Sequence, residues 1–462
     1  MTSTERQPEA AEGAAEAGGI GAASGAEAAG AAGEAGETGA AAAPAAGGRL
    51  ARWAIDVRPL RLVPYRRLWL GDAVATYGYQ FTAVAVPVEM FVLTRSSLWV
   101  GLLGLAGLVP LLIFGLWGGA IADAVDRRRL LLVSSLLAWS GTLGLLIQAV
   151  LRVGSPTLLL VLVAVQAVGY AVSSPTRTAI IPRLVPADLV PAANTLRFTT
   201  GQAGLVFGPL SAGLIFAAWA VPVALPIAYA CDAALFSVSL WAVLRLPALP
   251  PTEVEPGAVR SVGLRSVVDG LRYLAGTPVL LLSFAVDIVA MVLALPRSLF
   301  PEVAAERFGG TAAVGWLYSA IAIGSVLGGL TSGWIGRVRR QGLALVAAVV
   351  GWGVAIAAAG LARQLWLTVL LLALAGGADL VSAVFRQSIM LVYAPDRLRG
   401  RLQGVNTVVV AGGPRLGDLR AGATAAAFGT GVAWVGGGIT AAVLAALLAV
   451  VFPALRRYRA QR

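Results

Sequence analysis

The chain has 462 residues, of which 58% are hydrophobic and 13% charged, with a mean hydropathy of +0.82 and a net charge of +12. Soluble domains carry roughly 25% charged residues, so a soluble enzyme is all but excluded, and the length leaves room for about a dozen crossings of about 20 apolar residues each. Histidine is absent and all 35 basic residues are arginine; this removes His-based triads, His-ligated metals, the P-loop lysine and the Schiff-base lysine, so neither a cofactor, a metal nor ATP-driven transport is expected.

Residues 1–48 hold seven Glu, one Arg and no apolar run, which predicts a disordered Ala/Gly/Glu-rich cytoplasmic tail rather than a signal peptide. The segment 49–245 is expected to form a first bundle, with spans at 69–92, 99–121, 130–151, 157–175, 196–217 and 222–244. In the linker 246–278, Pro247, Pro250, Pro251 and Pro256 forbid a continuous helix. Its apolar Val262, Leu264, Val267, Val268, Leu271 and Leu274 share space with Arg265, Asp269 and Arg272, the pattern of an interfacial amphipathic helix. The segment 279–462 is expected to form a second bundle, with spans at 279–300, 312–334, 342–361, 365–386, 406–428 and 432–455.

Arginine placement sets the orientation. With the N-terminus inside, 28 arginines fall on the cytoplasmic side; only Arg95, Arg152, Arg297, Arg307 and Arg363 fall outside, and Arg415 and Arg420 lie within the eleventh span. This bias predicts that both termini are cytoplasmic. The net charge then reflects topology and contact with anionic lipid headgroups, with no nucleic-acid partner. Cys231, the single cysteine, lies in an apolar run and reads as core packing.

A carboxylate within a span costs about 2.5–3.5 kcal/mol and needs a partner, water or a functional reason. In the first span Asp72, Thr76, Tyr79 and Gln80 recur at helical spacing and form a polar stripe that suits a water-lined substrate path. Asp72 also lies a turn from Arg66 and Arg67, which suits an interfacial salt bridge. Asp232 is expected to cap or pair within the first bundle, and Glu89 to snorkel toward the outer surface. In the second half Asp287 and Asp379 are the leading coupling candidates, since with no histidine the carboxylates are the natural proton carriers. Either is a candidate to neutralise Arg420. Asp379 and Arg386 share a helix face about 10.5 Å apart, too far for a direct pair but suited to shared water. Asp418 lies three residues from Arg415, so the two are candidates for a facing pair; a substrate or proton site and a static ion pair are equally compatible with it.

The two halves repeat. Gly118-Gly119 with Arg127 and Arg129 recurs as Gly328-Gly329 with Arg337 and Arg339, a shift of 210. Arg177-Thr178-Ala179-Ile180 with Pro186 recurs as Arg386-Gln387-Ser388-Ile389 with Pro395, and Gly208, Ala212 and Gly213 recur as Gly417, Ala421 and Gly422, both at a shift of 209. A period of six spans gives the halves one orientation and a cavity between them.

These features resemble the major facilitator superfamily over about residues 60–460. The loop signature appears as Gly119-Ala-Ile-Ala-Asp123 with Arg127, Arg128 and Arg129, whereas its copy has Gly333 in place of the acid. The resemblance implies an all-α membrane protein of twelve transmembrane helices in two six-helix pseudo-repeat bundles. It also implies a gating loop, in which Gly119 admits a neighbouring helix and Asp123 meets an opposing helix end or arginine. Gly204-Leu-Val-Phe-Gly208-Pro209-Leu-Ser-Ala212-Gly213 looks like the superfamily's antiporter signature, found mainly in exporters, although ordinary small-residue packing accounts for it equally well.

A narrower resemblance to siderophore exporters and related drug exporters rests on Ala85-Val86-Pro87-Val88, Leu299-Phe300-Pro301, Gly315-Trp316-Leu317-Tyr318-Ser319-Ala320, Thr331-Ser332-Gly333 and Arg399-Gly400-Arg401 before Gly417-Asp418. It implies a multi-pass protein of a bacterial inner membrane, working as a monomer. Such a protein exports a small organic molecule by alternating access in exchange for protons. A non-transporting sensor or scaffold that works through its tail, and a membrane-embedded enzyme built on Asp pairs, are the alternatives.

Overall fold

The structure, a computed structural model, describes residues 56–250 and 271–458, without the side chains of 115–124, 396–397, 399–401 and 457. The tail 1–48 and residues 251–270 of the linker 246–278 lie outside the described residues; the end of its expected amphipathic helix is described and helical, with Leu274 buried and Leu271 and Arg272 exposed. The first half consists of α1 (Val63–Thr94), α2 (Ser97–Ala124), α3 (Arg127–Val150), α4 (Pro156–Leu184), α5 (Val190–Ala218) and α6 (Val221–Leu244). The second half contains α7 (Pro278–Val289), α8 (Phe300–Arg307), α9 (Ala312–Leu330), α10 (Gln341–Leu361), α11 (Leu365–Tyr393), α12 (Asp396–Phe428), α13 (Gly437–Val451) and the short α14 (Pro453–Arg457). π-Helical turns at Ala290–Ala294 and Val432–Gly436 extend α7 and precede α13.

Local chemistry accounts for the helix starts. A proline stands in the first turn of α1, α4, α5, α6, α7 and α8, where its missing N–H costs nothing and its fixed φ suits the helix. Asp126 caps α3 by accepting from the Arg129 N–H at 2.9 Å, and Ser155 caps α4 by accepting from the Leu158 N–H at 3.3 Å. Arg95 and Arg152 follow α1 and α3 in the left-handed region, at φ 50° and 52°.

Ten helical stretches among the described residues are long and apolar enough to cross a membrane. α1 and α12 are longer than most, at 32 and 33 residues; what keeps them out of the ten is polarity, since α1 carries the Asp72 to Gln80 stripe and α12 carries Arg415, Asp418 and Arg420. One of the ten runs from Pro278 to Arg307. The helical stretch thus runs on past the expected end of this span at 300 to Arg307, broken at Leu295 and Pro296 just before Arg297.

In the first half α1 packs on α5 and α6, α3 on α4 and α6, and α2 on α4. In the second half α11 packs on α9 and α10, and α13 on α10. The main contacts between the halves are α2 on α12 and α5 on α9, two contacts that correspond under the repeat. Both lie at the end of the molecule where α2 and α9 begin, here called the far end. A Cβ on Gly104 would lie 2.6 Å from the Arg415 carbonyl oxygen, one on Gly422 2.3 Å from that of Ser97, and one on Gly315 2.5 Å from that of Pro209. Glycine is what lets these backbones touch. Toward the opposite, arginine-rich end, Cβ atoms on Gly201 of α5 and Gly404 of α12 would meet nothing within 4 Å. The glycine contacts that join the halves among the described residues thus lie toward the far end.

Candidate functional site

Four charged side chains gather where the halves meet: Arg297 after the break in α7, Asp379 on α11, and Arg415 and Asp418 on α12. The field of Arg297 reaches Asp379, Asp418, Tyr318 of α9 and Tyr79 of α1, and Arg415 also acts on Tyr79 and Asp418. Yet none of the four forms an ion pair with another. Arg415 donates to the Ala411 carbonyl of its own helix at 3.3 Å, and Arg297 Nε and Asp418 Oδ1 are buried with no hydrogen-bond partner among the described residues. Charges that approach without pairing leave unspent hydrogen-bonding capacity, which suits a polar ligand or water. Tyr79 packs edge-on against Tyr170 at 4.8 Å, and Phe300 against Tyr318 at 5.1 Å, giving the site aromatic walls. Asp418 and Arg415 are held at α2 by the glycines at 101, 104 and 107; a Cβ on Gly107 would lie 3.1 Å from Arg415 Nε.

The other second-half charges are satisfied elsewhere. Asp287 makes a direct, buried ion pair with Arg386. This replaces the expected sharing of water between Asp379 and Arg386. Arg420 is neutralised by neither Asp287 nor Asp379: it donates to the carbonyls of Val292 (3.1 Å), Leu293 and Ala433 (3.1 Å). These oxygens belong to the two π-helical turns. Leu295 turns extended and Pro296 has no N–H to return, so the end of α7 exposes carbonyls, and a cation there also complements the helix dipole.

In the first half Asp72 pairs with Arg197 at 3.0 Å and Arg177 at 3.5 Å. Arg66 and Arg67 are not its partners; Arg67 instead donates to the Arg245 carbonyl at 3.0 Å. Arg177 and Arg386 each occupy the twenty-second position of a 29-residue helix, and Asp72 and Asp287 each occupy the tenth position of theirs. The repeat thus extends to a matched pair of ion pairs. Asp232 has no arginine partner: it is fully buried and accepts from Thr82 Oγ1 at 2.5 Å and Thr142 Oγ1 at 3.4 Å. Glu89 does not snorkel; it is buried, accepting from Gln148 Nε2 at 2.8 Å and the Tyr229 hydroxyl at 2.6 Å.

The Asp72 to Gln80 stripe divides. Tyr79 faces the central charges, whereas Thr76 and Gln80 pack on α5, where Cβ atoms on Gly204 and Gly208 would lie 3.5 Å from Thr76 Cγ2 and 2.5 Å from Gln80 Cβ. Pro209 and Gly213 contact Gly315 of α9. In the gating segment Arg127 donates to the Ala179 carbonyl at 2.8 Å and Arg128 to the Leu244 carbonyl at 2.7 Å, both within the first half. The side chain of Asp123 lies outside the described ones, as do the surroundings of Gly119.

Two functional positions escape the sequence reading. Arg297 is one, and Pro296, which interrupts the helix just before it, is the signal that marks a broken span. Glu302 of α8 is the other: it accepts short hydrogen bonds from Ser97 at the start of α2 and from Thr430, clasping the halves together at the far end. No spacing rule points to it.

A bundle of membrane-length helices with a polar site where two related halves meet defines a membrane transporter. The family described as transmembrane secretion effector matches residues 54–462, and the chain belongs to that family of the major facilitator superfamily. It is 29% identical over 415 residues to the enterobactin exporter EntS of Shigella boydii serotype 18, covering 88% of this chain and 96% of the relative. The enterobactin exporter EntS of Escherichia coli O81 is 28% identical with the same coverage. Among solved structures, the nucleoside transporter NupG matches with a TM-score of 0.66 and 16% identity, covering 86% of this chain and 99% of that one. An inward-facing, unoccupied bacterial homolog of the human lysosomal transporter Spinster matches at 0.65 and 17%, covering 87% and 97%. These two likenesses concern the fold. The relatives and structural neighbours are membrane transporters, not enzymes.

Proposed function

We propose that this chain is a secondary active exporter of a small organic molecule, a siderophore or drug-like compound, moved by alternating access between two six-helix bundles, 49–245 and 279–462. On this reading twelve spans cross a bacterial inner membrane, both termini are cytoplasmic, the tail is dispensable and the monomer is the working unit. The observation that carries it is the unpaired quartet of Arg297, Asp379, Arg415 and Asp418 at the junction of the halves, closed off toward the far end by α2–α12 and α5–α9. With the arginine-rich end inside, this is the inward-open state.

The chemistry of the quartet supports proton exchange. An ionised Asp379 or Asp418 accepts strongly from a hydroxyl or a cation on the substrate; once protonated, it loses the charge that holds the cation and accepts from a hydroxyl more weakly. Proton and substrate then compete for the same oxygens, and competition of this kind drives antiport. Arg297 and Arg415 keep donors for the substrate's acceptor groups. The relatives' export of enterobactin supports a polyhydroxylated aromatic substrate. Efflux assayed as uptake into inverted membrane vesicles tests the reading, with a catecholate siderophore and a panel of fluorescent drugs. Uptake that collapses with the proton gradient and is lost in Asp418→Asn is the expected result. Absence of uptake of every compound under any gradient, in vesicles shown to contain the protein, would overturn it.

A further inference from the structure

The far end of the second half carries a groove that none of the four central charges lines. It has a volume of about 560 Å³, and Leu361, Val432 and Ile439 form its apolar walls, 69%, 56% and 51% exposed. Gly431 and Gly436 leave it open; a Cβ on Gly431 would meet nothing within 4 Å. Two arginines, Arg307 and Arg363, line it, and among the described residues no carboxylate does. Arg307 is fixed by donating Nη1 to the Gly360 carbonyl at 2.7 Å and the Ala362 carbonyl at 3.3 Å. Its Nε and Nη2, and all of the exposed Arg363 guanidinium, donate no hydrogen bond among the described residues.

Placement sharpens the point. Arginine is disfavoured at the outer surface of an inner-membrane protein. The other arginines expected there are accounted for: Arg95 and Arg152 close α1 and α3, and Arg297 belongs to the central site. The remaining two share one groove. Trp366, 64% exposed three residues after Arg363, is the type of side chain that settles at headgroup level. Exposed aliphatic walls running from two uncompensated cations fit a ligand with an anionic head and hydrocarbon tails.

We propose that this groove holds an anionic phospholipid of the leaflet at the far end, its phosphate between Arg307 and Arg363 and an acyl chain along Leu361, Val432 and Ile439. The site is independent of what the protein transports. Native mass spectrometry of the purified full-length protein with phosphatidylglycerol or phosphatidylcholine tests it. Phosphatidylglycerol is retained in preference to phosphatidylcholine. Arg363→Gln, which leaves the Arg307 carbonyl bonds in place, weakens that retention roughly fivefold, and Arg307→Gln/Arg363→Gln roughly 30-fold. Arg152→Gln leaves it unchanged. Equal retention of the two lipids, an unchanged double variant, an equal loss in Arg152→Gln, or displacement by inorganic phosphate alone would each overturn the proposal.

Discussion

Asp287 and Arg386 are both nearly inaccessible, so removing one leaves the other as a buried charge with nothing to oppose it. Asp287→Asn is expected to cost about 3–5 kcal/mol, whereas Asp287→Asn/Arg386→Gln, which removes both charges, costs less than that single change. Unfolding in detergent of the two variants side by side checks this; a double variant worse than the single one refutes the pairing. Arg420 acts differently, since its partners are carbonyls. Arg420→Gln strands up to three partly buried acceptors, at up to about 1 kcal/mol each, lowering the melting temperature even though no ion pair is broken. The polar residues themselves were legible in the sequence, because a charge in an apolar run stands out. Their partners were not: pairing depends on which helices become neighbours, so Arg420 was matched with carboxylates when backbone oxygens freed by Pro296 lay closer.

Helix contacts across the halves depend on glycine. Gly104→Val and Gly315→Val thrust side chains into the Arg415 and Pro209 carbonyls, and each is expected to cost about 1–3 kcal/mol or to force the far end apart. Gly201→Ala and Gly404→Ala point into open space and are expected to be neutral within about 1 kcal/mol. Thermal stability of the four variants checks the contrast, and uniform effects would contradict it. The small-residue motif on α5 was readable as close packing, and Gly208 and Gly213 do touch α1 and α9. What the sequence obscured was the extent of α7. Pro296-Arg297 reads as a loop by local propensity, but the chain turns helical again from Arg297 through α8 to Arg307, and Arg297 stands at that break, beside the central charges.

At the scale of the whole molecule, the all-helical membrane fold reads from the sequence through its apolar runs, ten of which are helices of membrane-spanning length among the described residues, and through the shift of 209–210, which survives as matched ion pairs at the tenth and twenty-second helix positions. The conformation does not, because both open states bury similar helix faces and differ in contacts such as the Glu302 clasp. Deleting residues 1–48 is expected to leave transport intact, and its loss in vesicles would contradict a dispensable tail. The central claim is that the halves rock about the charged site, closing one end as the other opens. Double electron–electron resonance tests it directly, and the single native cysteine makes labelling simple once Cys231→Ala is introduced. One spin pair is placed at Gly201→Cys and Gly404→Cys, the other at Trp219→Cys and Thr311→Cys on the α5–α9 contact. Breaking the clasp with Glu302→Ala should shorten the first distance and lengthen the second. Distances that stay fixed in both pairs, or that move in the same direction, would contradict alternating access.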